Sequence, residues 1–162
     1  MPAGRSKGGG MSPREKYTVD DGVALLAATP LFEGIDPARL RVLVYAATPL
    51  NVPAGQFVVR EGEELDAGFL VLDGLAEAWM NEDPAMRLSI SRGAFIGEAA
   101  MIAGLHHRMN VRASEEMALL RFSRELFLRV CHEFPELGRL VMANYARRMA
   151  SVTSALHTLL PR

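Results

Sequence analysis

Between Thr48 and Phe122 the chain sets short apolar runs between turn residues: Pro53-Ala54-Gly55, Glu61-Gly62, Asp73-Gly74, Asp83-Pro84 and Arg92-Gly93. Breaks recurring roughly every 8–12 positions leave room only for short antiparallel strands. Strands are predicted at Gln56–Arg60, Phe69–Leu72, Leu75–Met80, Met86–Ser91, Met109–Ser114 and Met117–Phe122. Within Met86–Ser91 apolar and polar residues alternate without a break, the pattern of a strand with one wet and one dry face. Such strands bury their dry faces economically when the sheet rolls up on itself.

The flanking sequence changes period. Asp20 is expected to cap a short helix carrying Val23, Leu25 and Leu26. A second helix is signalled by Asp36 as N-cap, Pro37 at the first helical position and Ile35 stapling onto Leu40. Ser123 caps a helix with Leu126, Phe127, Val130 and Cys131 on one side, ending near Phe134-Pro135. A long helix follows from about Glu136 to Leu159. Its apolar positions Leu137, Val141, Tyr145, Met149, Val152, Leu156 and Leu159 recur at intervals of three or four. That stripe spans about six turns, more than one small barrel covers, and suits a dimer seam as well as packing on its own domain. Arg147 and Arg148 read as solvated. Residues 1–17, rich in Gly, Pro, Ser and charge, read as a disordered tail. The expectation is one domain over 18–162, with a barrel at about 48–122 and C-terminal helices at 123–159. The fold class is mainly β with flanking helices: an antiparallel β-barrel or jelly roll with N-terminal helices and a long C-terminal helix.

Composition narrows the classes. The chain has 162 residues, 49% hydrophobic and 23% charged, with a net charge of −1. Nothing global draws it to nucleic acid or to an anionic membrane. Its one cysteine, Cys131, excludes an intrachain disulfide and points to the cytoplasm. No apolar run reaches the roughly 18–20 residues of a membrane span, and the N-terminus lacks a signal-peptide core.

The candidate chemistry lies around Gly97. A glycine followed by a short helix, Glu98 to about Ile102, leaves backbone N–H groups unpaired at the helix start. Those donors and the positive end of the helix dipole form an anion site suited to a cyclic phosphodiester. Gly97, lacking a side chain, lets a ligand approach the backbone. Glu98 repels a phosphate but accepts a hydrogen bond from a sugar hydroxyl. The bland alternative is that Glu98 caps its helix and the loop turns a corner.

Three segments in order resemble the cyclic-nucleotide-binding domain family: Val52–Glu63 (VPAGQFVVREGE), Asp66–Gly74 (DAGFLVLDG) and Arg92–Gly104 (RGAFIGEAAMIAG). The last is similar to the family's phosphate-binding cassette, and the likeness runs from about Leu25 to Leu159. It implies a cupin-like double-stranded β-helix. It also implies cyclic AMP or cyclic GMP (cAMP or cGMP) as ligand, the phosphate on Gly97, Ala99 and Ala100, and the ribose 2′-OH on Glu98. The family closes its cassette with an arginine that forks onto the phosphate. Here an ungapped alignment places His107 at that position, with Arg108 next. Three readings stay open. A one-residue bulge brings Arg108 to the phosphate; His107 occupies the pocket with weaker or pH-dependent binding; or the pocket is degenerate and the domain is a nucleotide-free dimerisation or interaction module.

Further expectations rest on the same resemblance. Val152-Thr153-Ser154 is similar to a segment by which relatives contact adenine across a dimer, making Thr153 and Ser154 candidate contacts. Asn110 is a candidate contact for the base. One cysteine is too few for the iron–sulfur relatives, and no histidine precedes His106 to serve the haem-binding ones. His106 and His107 lack the further ligands a metal needs, so no metal is expected. No nucleophile, base and orienter stand together, so the chain is read as no enzyme. No winged helix follows the last helix, so direct DNA binding is not expected. The chain therefore reads as a stand-alone cytoplasmic sensor, a homodimer through its C-terminal helix, signalling by helix movement to an unknown protein effector.

Overall fold

The computed structural model describes residues 11–159, and the remainder of the expected tail and the last three residues lie outside them. The chain opens with α1 (Pro13–Lys16), α2 (Val19–Ala27), a 3-10 turn at Pro30–Phe32 and α3 (Pro37–Ala46). The strands follow as β1 (Thr48–Val52), β2 (Phe57–Val59), β3 (Ala67–Asp73), β4 (Ala76–Trp79), β5 (Leu88–Ile90) and β6 (Phe95–Ile96). After α4 (Glu98–Ala103) come β7 (Asn110–Ala113), β8 (Met117–Ser123), α5 (Arg124–Glu133) and α6 (Pro135–Leu159). Two antiparallel sheets of four strands, ordered β1-β8-β3-β6 and β2-β7-β4-β5, make a flattened jelly roll rather than a closed barrel.

The doubly buried strands organise the core. Along β3, Phe69 and Val71 face the second sheet, while Leu70 and Leu72 face the helices. In β8, Met117 and Leu119 point inward and Leu120 and Phe122 point to the helical side. Both faces of these strands are covered, so the sequence AGFLVLD runs apolar instead of alternating. The helical layer contributes Leu26, Phe32, Leu40, Leu43, Phe127, Leu137 and Val141 to the same cluster.

Helix boundaries follow local chemistry, with one correction. Asp36 caps α3 by accepting from the Ala38 N–H at 2.9 Å, and Ser123 caps α5 by accepting from Leu126 N–H at 3.0 Å. At α2 the cap is Thr18, not Asp20. Thr18 and Asp21 form a reciprocal capping box, and Asp20 instead pairs with Arg41 of α3.

The most regular alternation in the sequence, Met86–Ser91, yields only the three-residue β5, preceded by a 3-10 turn at Pro84–Met86. Leu88 on the edge strand β5 and Met86 in the turn before it are both exposed. Two strands, β1 and β6, were not predicted as such. β1 carries Pro49, which edge strands tolerate, and β6 is only two residues long.

The long helix divides in two. Leu137 and Val141 are buried, and Asn144 donates to the carbonyls of Leu31 at 3.0 Å and Glu33 at 2.9 Å, tying α6 to the 3-10 turn. Tyr145 still packs against the core, and beyond it the stripe leaves the domain: Met149 and Val152 are exposed, and the side chains of Leu156 and Leu159 lie outside the described residues. Among the described residues no helix is long and apolar enough to cross a membrane.

Part of the stretch expected as a tail is ordered. Tyr17 Oη donates to Asp73 at 2.7 Å and Lys16 Nζ lies 3.3 Å from the same oxygen, so α1 is strapped to the end of β3. The Tyr17 hydroxyl, the Gly74 N–H and Lys16 hold the Asp73 carboxyl below its ordinary range. A depressed carboxyl stabilises the docked strap above its free value, and that contribution is lost as pH falls through the depressed one. Asp73→Asn is expected to speed amide exchange across α1 at neutral pH and to leave the global unfolding midpoint nearly unchanged. Unaltered exchange would show that other contacts hold α1.

Candidate functional site

A cavity of about 250 Å³ opens where α4 meets the second sheet. Its apolar wall is Val59, Ile90, Ile96 and Val111, its floor runs from Gly97 to Ala100, and residues 106–109 form the opposite rim. A larger cleft of about 330 Å³ lies beneath α1, but Lys16 and Asp73 there already satisfy one another. The smaller cavity is where unspent donors converge.

Gly97 makes the floor possible. It sits in the left-handed region with φ 82°, directly before α4. A Cβ there would stand 2.6 Å from His107 Cε1 and 2.9 Å from the carbonyl oxygen of Ala67. Glycine is required both by dihedral and by space. The first helical bond of α4 runs from Met101 N–H to Gly97 O at 3.1 Å, so the N–H groups of Glu98, Ala99 and Ala100 precede it.

The structure separates the two side chains on which the sequence left alternatives open. His107 is 5% exposed. Its Nε2 lies 2.8 Å from Leu65 O, its N–H donates to Glu63 O at 3.1 Å, and its carbonyl accepts from Gly62 N–H at 2.7 Å. Leu65 O can only accept, so Nε2 carries the proton. The Cε1–Nδ1 edge of the ring lies against Gly97. Arg108 stands exposed at the rim, without an ion-pair partner among the described residues. His106 is exposed too, with Nδ1 3.1 Å from Gly62 O and Nε2 3.5 Å from Glu64.

Glu98 has a partner that the sequence did not suggest. Its side chain, 15% exposed, pairs with Arg148 of α6, itself 40% exposed. Arg148 was expected to be solvated. The two lie fifty positions apart, and no local pattern joins them. The inward wall residues Val59, Ile90 and Val111 were legible as alternate positions of predicted strands, yet were not singled out.

Gly97, Glu98, Ala99, Ala100, His107 and Arg108 are thus brought to one cavity. Asn110, Thr153 and Ser154 are not among its lining residues. Asn110 Oδ1 accepts from Glu61 N–H at 3.0 Å, whereas its neighbour Val111 faces inward. Thr153 donates back to Met149 O at 3.0 Å, and Ser154 is exposed on the projecting half of α6. Among the described residues no three of His, Cys, Asp or Glu cluster as metal ligands.

A jelly roll whose cavity sets backbone N–H donors beside a carboxylate defines a small-ligand receptor domain. The sequence matches the cyclic nucleotide-binding domain family over residues 49–134, and the chain belongs to that family. It is 32% identical to a cyclic nucleotide-gated potassium channel of Mesorhizobium japonicum, over 81% of this chain and 36% of the channel. It is 29% identical to a cAMP-dependent protein kinase regulatory subunit of Emericella nidulans, over 80% of this chain and 31% of the subunit. Among solved structures, a cyclic nucleotide-binding-like protein of Brucella abortus superposes with a TM-score of 0.62 at 30% identity, covering 70% of this chain and 99% of that one. The chain spans about a third of the length of these curated relatives.

Gly97→Ala is expected to lower stability by about 1–3 kcal/mol, the usual penalty for a residue held in the left-handed region, with the His107 contact adding to it. Urea denaturation measures this, and a change near zero would mean that the floor relaxes freely.

Proposed function

We propose that this domain is a regulatory module that binds cAMP or cGMP in the cavity and reports occupancy through α6. The phosphate lies on the N–H groups of Glu98, Ala99 and Ala100, and the ribose hydroxyl on Glu98. The observation that carries this reading is the pair between Glu98 and Arg148. One carboxylate serves both the cavity and the C-terminal helix, so a sugar hydroxyl arriving at Glu98 competes with Arg148. A ligand shifts a conformational equilibrium only by its differential affinity for the two states, and this competition supplies one. Arg148 is 40% exposed, so water can take its place as a ligand hydroxyl engages Glu98.

The relatives support a regulatory rather than catalytic role: one is a gated channel and another a kinase regulatory subunit. In this reading the effector is a protein, reached in the cytoplasm by the movement of α6. The exposed Met149 and Val152 on its projecting half form part of a seam for a second copy.

In thermal-shift experiments the preferred nucleotide at a hundredfold excess over its Kd should add about 2.7 kcal/mol of stability. No shift with either nucleotide at millimolar concentration would leave the fold as an interaction module. Glu98→Gln should weaken binding about ten- to hundredfold, the worth of a hydrogen bond to a charged group. Arg148→Ala should tighten binding several-fold and speed amide exchange in the second half of α6, as ligand does in the parent. Weaker binding in that variant would make Arg148 a ligand contact instead of a competitor.

A further inference from the structure

The imidazole of His107 is held in a state that does not suit an anion. Its Nε2 proton is committed to Leu65 O at 2.8 Å, and its backbone is bonded on both sides to the β2–β3 connection. The ring is 5% exposed and cannot turn without breaking these bonds. Its other edge, Cε1 and Nδ1, lies against Gly97 at the cavity floor, and Nδ1 has no hydrogen-bond partner among the described residues. In the neutral ring that nitrogen presents a bare lone pair, which repels a phosphate oxygen. Moving the proton to Nδ1 would set the Nε2 lone pair against the Leu65 carbonyl. Only the imidazolium, donating from both nitrogens, satisfies the carbonyl and an anion together.

We infer that the domain takes up a proton at His107 when an anionic cyclic nucleotide binds, which makes it a pH-dependent receptor. The inference rests on the function proposed above. The proton bonds to Nδ1, is drawn from solvent or buffer, and becomes the donor to a phosphate oxygen; no covalent bond of the ligand changes.

The charged groups around His107 do not replace the ligand in this role. Its own segment carries His106, set beside Glu64, and Arg108, exposed at the rim. The β2–β3 connection carries Arg60, Glu61, Glu63, Glu64 and Asp66; Glu63 spends its carboxylate on the Arg60 N–H at 2.9 Å. On α4, Glu98 is taken by Arg148, and Arg124 of α5 packs against Gly104 at the far end of that helix. No carboxylate is bonded to the imidazole among the described residues, so the counter-charge for an imidazolium comes with the ligand. Arg108, permanently charged, can add affinity but no pH dependence.

By linkage, a receptor that takes up a proton with its ligand binds more tightly as pH falls, by at most about tenfold per unit. Titration calorimetry with the preferred cyclic nucleotide between pH 6 and 8.5, in buffers of contrasting ionisation enthalpy, reads the affinity and the protons taken up. The parent should show net proton uptake within this range. His107→Gln should bind without uptake and with a flat profile. Arg108→Ala and His106→Gln should keep the uptake, whatever they do to affinity. If the buried glutamine prevents folding, the parent and these two variants suffice. Binding by the parent without proton uptake, or uptake that disappears with His106, overturns the inference while leaving the proposed function intact. No binding at any pH overturns both.

Discussion

At Gly97 the chain leaves β6 in a left-handed conformation and enters α4, with the Ala67 carbonyl on one side and the His107 ring on the other. No Cβ fits between them. This close approach sets the depth of the cavity, brings the first N–H groups of α4 to its floor and seats the rim histidine. It depends in turn on β3, which is buried on both faces and cannot shift without disturbing both clusters of the core. Next to the junction, Phe95 lines the cavity and packs against Phe32 at 5.6 Å and Phe122 at 5.8 Å between ring centroids. A Cβ on Gly68 would fall 2.5 Å from that ring. The cavity wall and the helical layer therefore share one aromatic side chain.

The link between cavity and C-terminal helix is electrostatic where the rest of the interface is apolar. Leu137, Val141 and Asn144 hold the first half of α6 by burial and by two backbone hydrogen bonds. The second half is tied down at Arg148, a half-exposed cation on a carboxylate of the binding site. The first half of α6 is thus firmly packed, and the second is joined to the domain by the pair between Arg148 and Glu98.

The cassette retains the backbone geometry of an anion site, with its charge arrangement altered. An arginine at position 107 would be a permanent cation; the imidazole there is buried, its tautomer set by Leu65. Arg108 keeps its charge in solvent at the rim, where attraction for a phosphate is screened. Asn110 Oδ1 accepts from the Glu61 N–H, and Asn110 is not among the residues lining the cavity.

Local physics was legible along the chain. The caps at Asp36 and Ser123, the glycine turns, the helix after Gly97 and six of the strands follow from chemistry within a few residues, and the three ordered segments carry the family. Features requiring distant partners were not legible. The alternation of Met86–Ser91 shows which side of a strand is apolar, but not that Leu88 is exposed on the edge strand β5. The α2 cap was misassigned although its signal is local, since Thr18 and Asp21, three residues apart, form the capping box. The choice of His107 over Arg108 for the interior came from carbonyls in the β2–β3 connection, and the meeting of Glu98 with Arg148 from the packing of α6. The sequence by itself determined most of the elements, the family and the glycine turn that starts α4, because these depend on short-range dihedral and hydrogen-bonding preferences. Only the tertiary structure decided which charged groups face the cavity, because desolvation and pairing depend on neighbours that the chain brings together across its whole length.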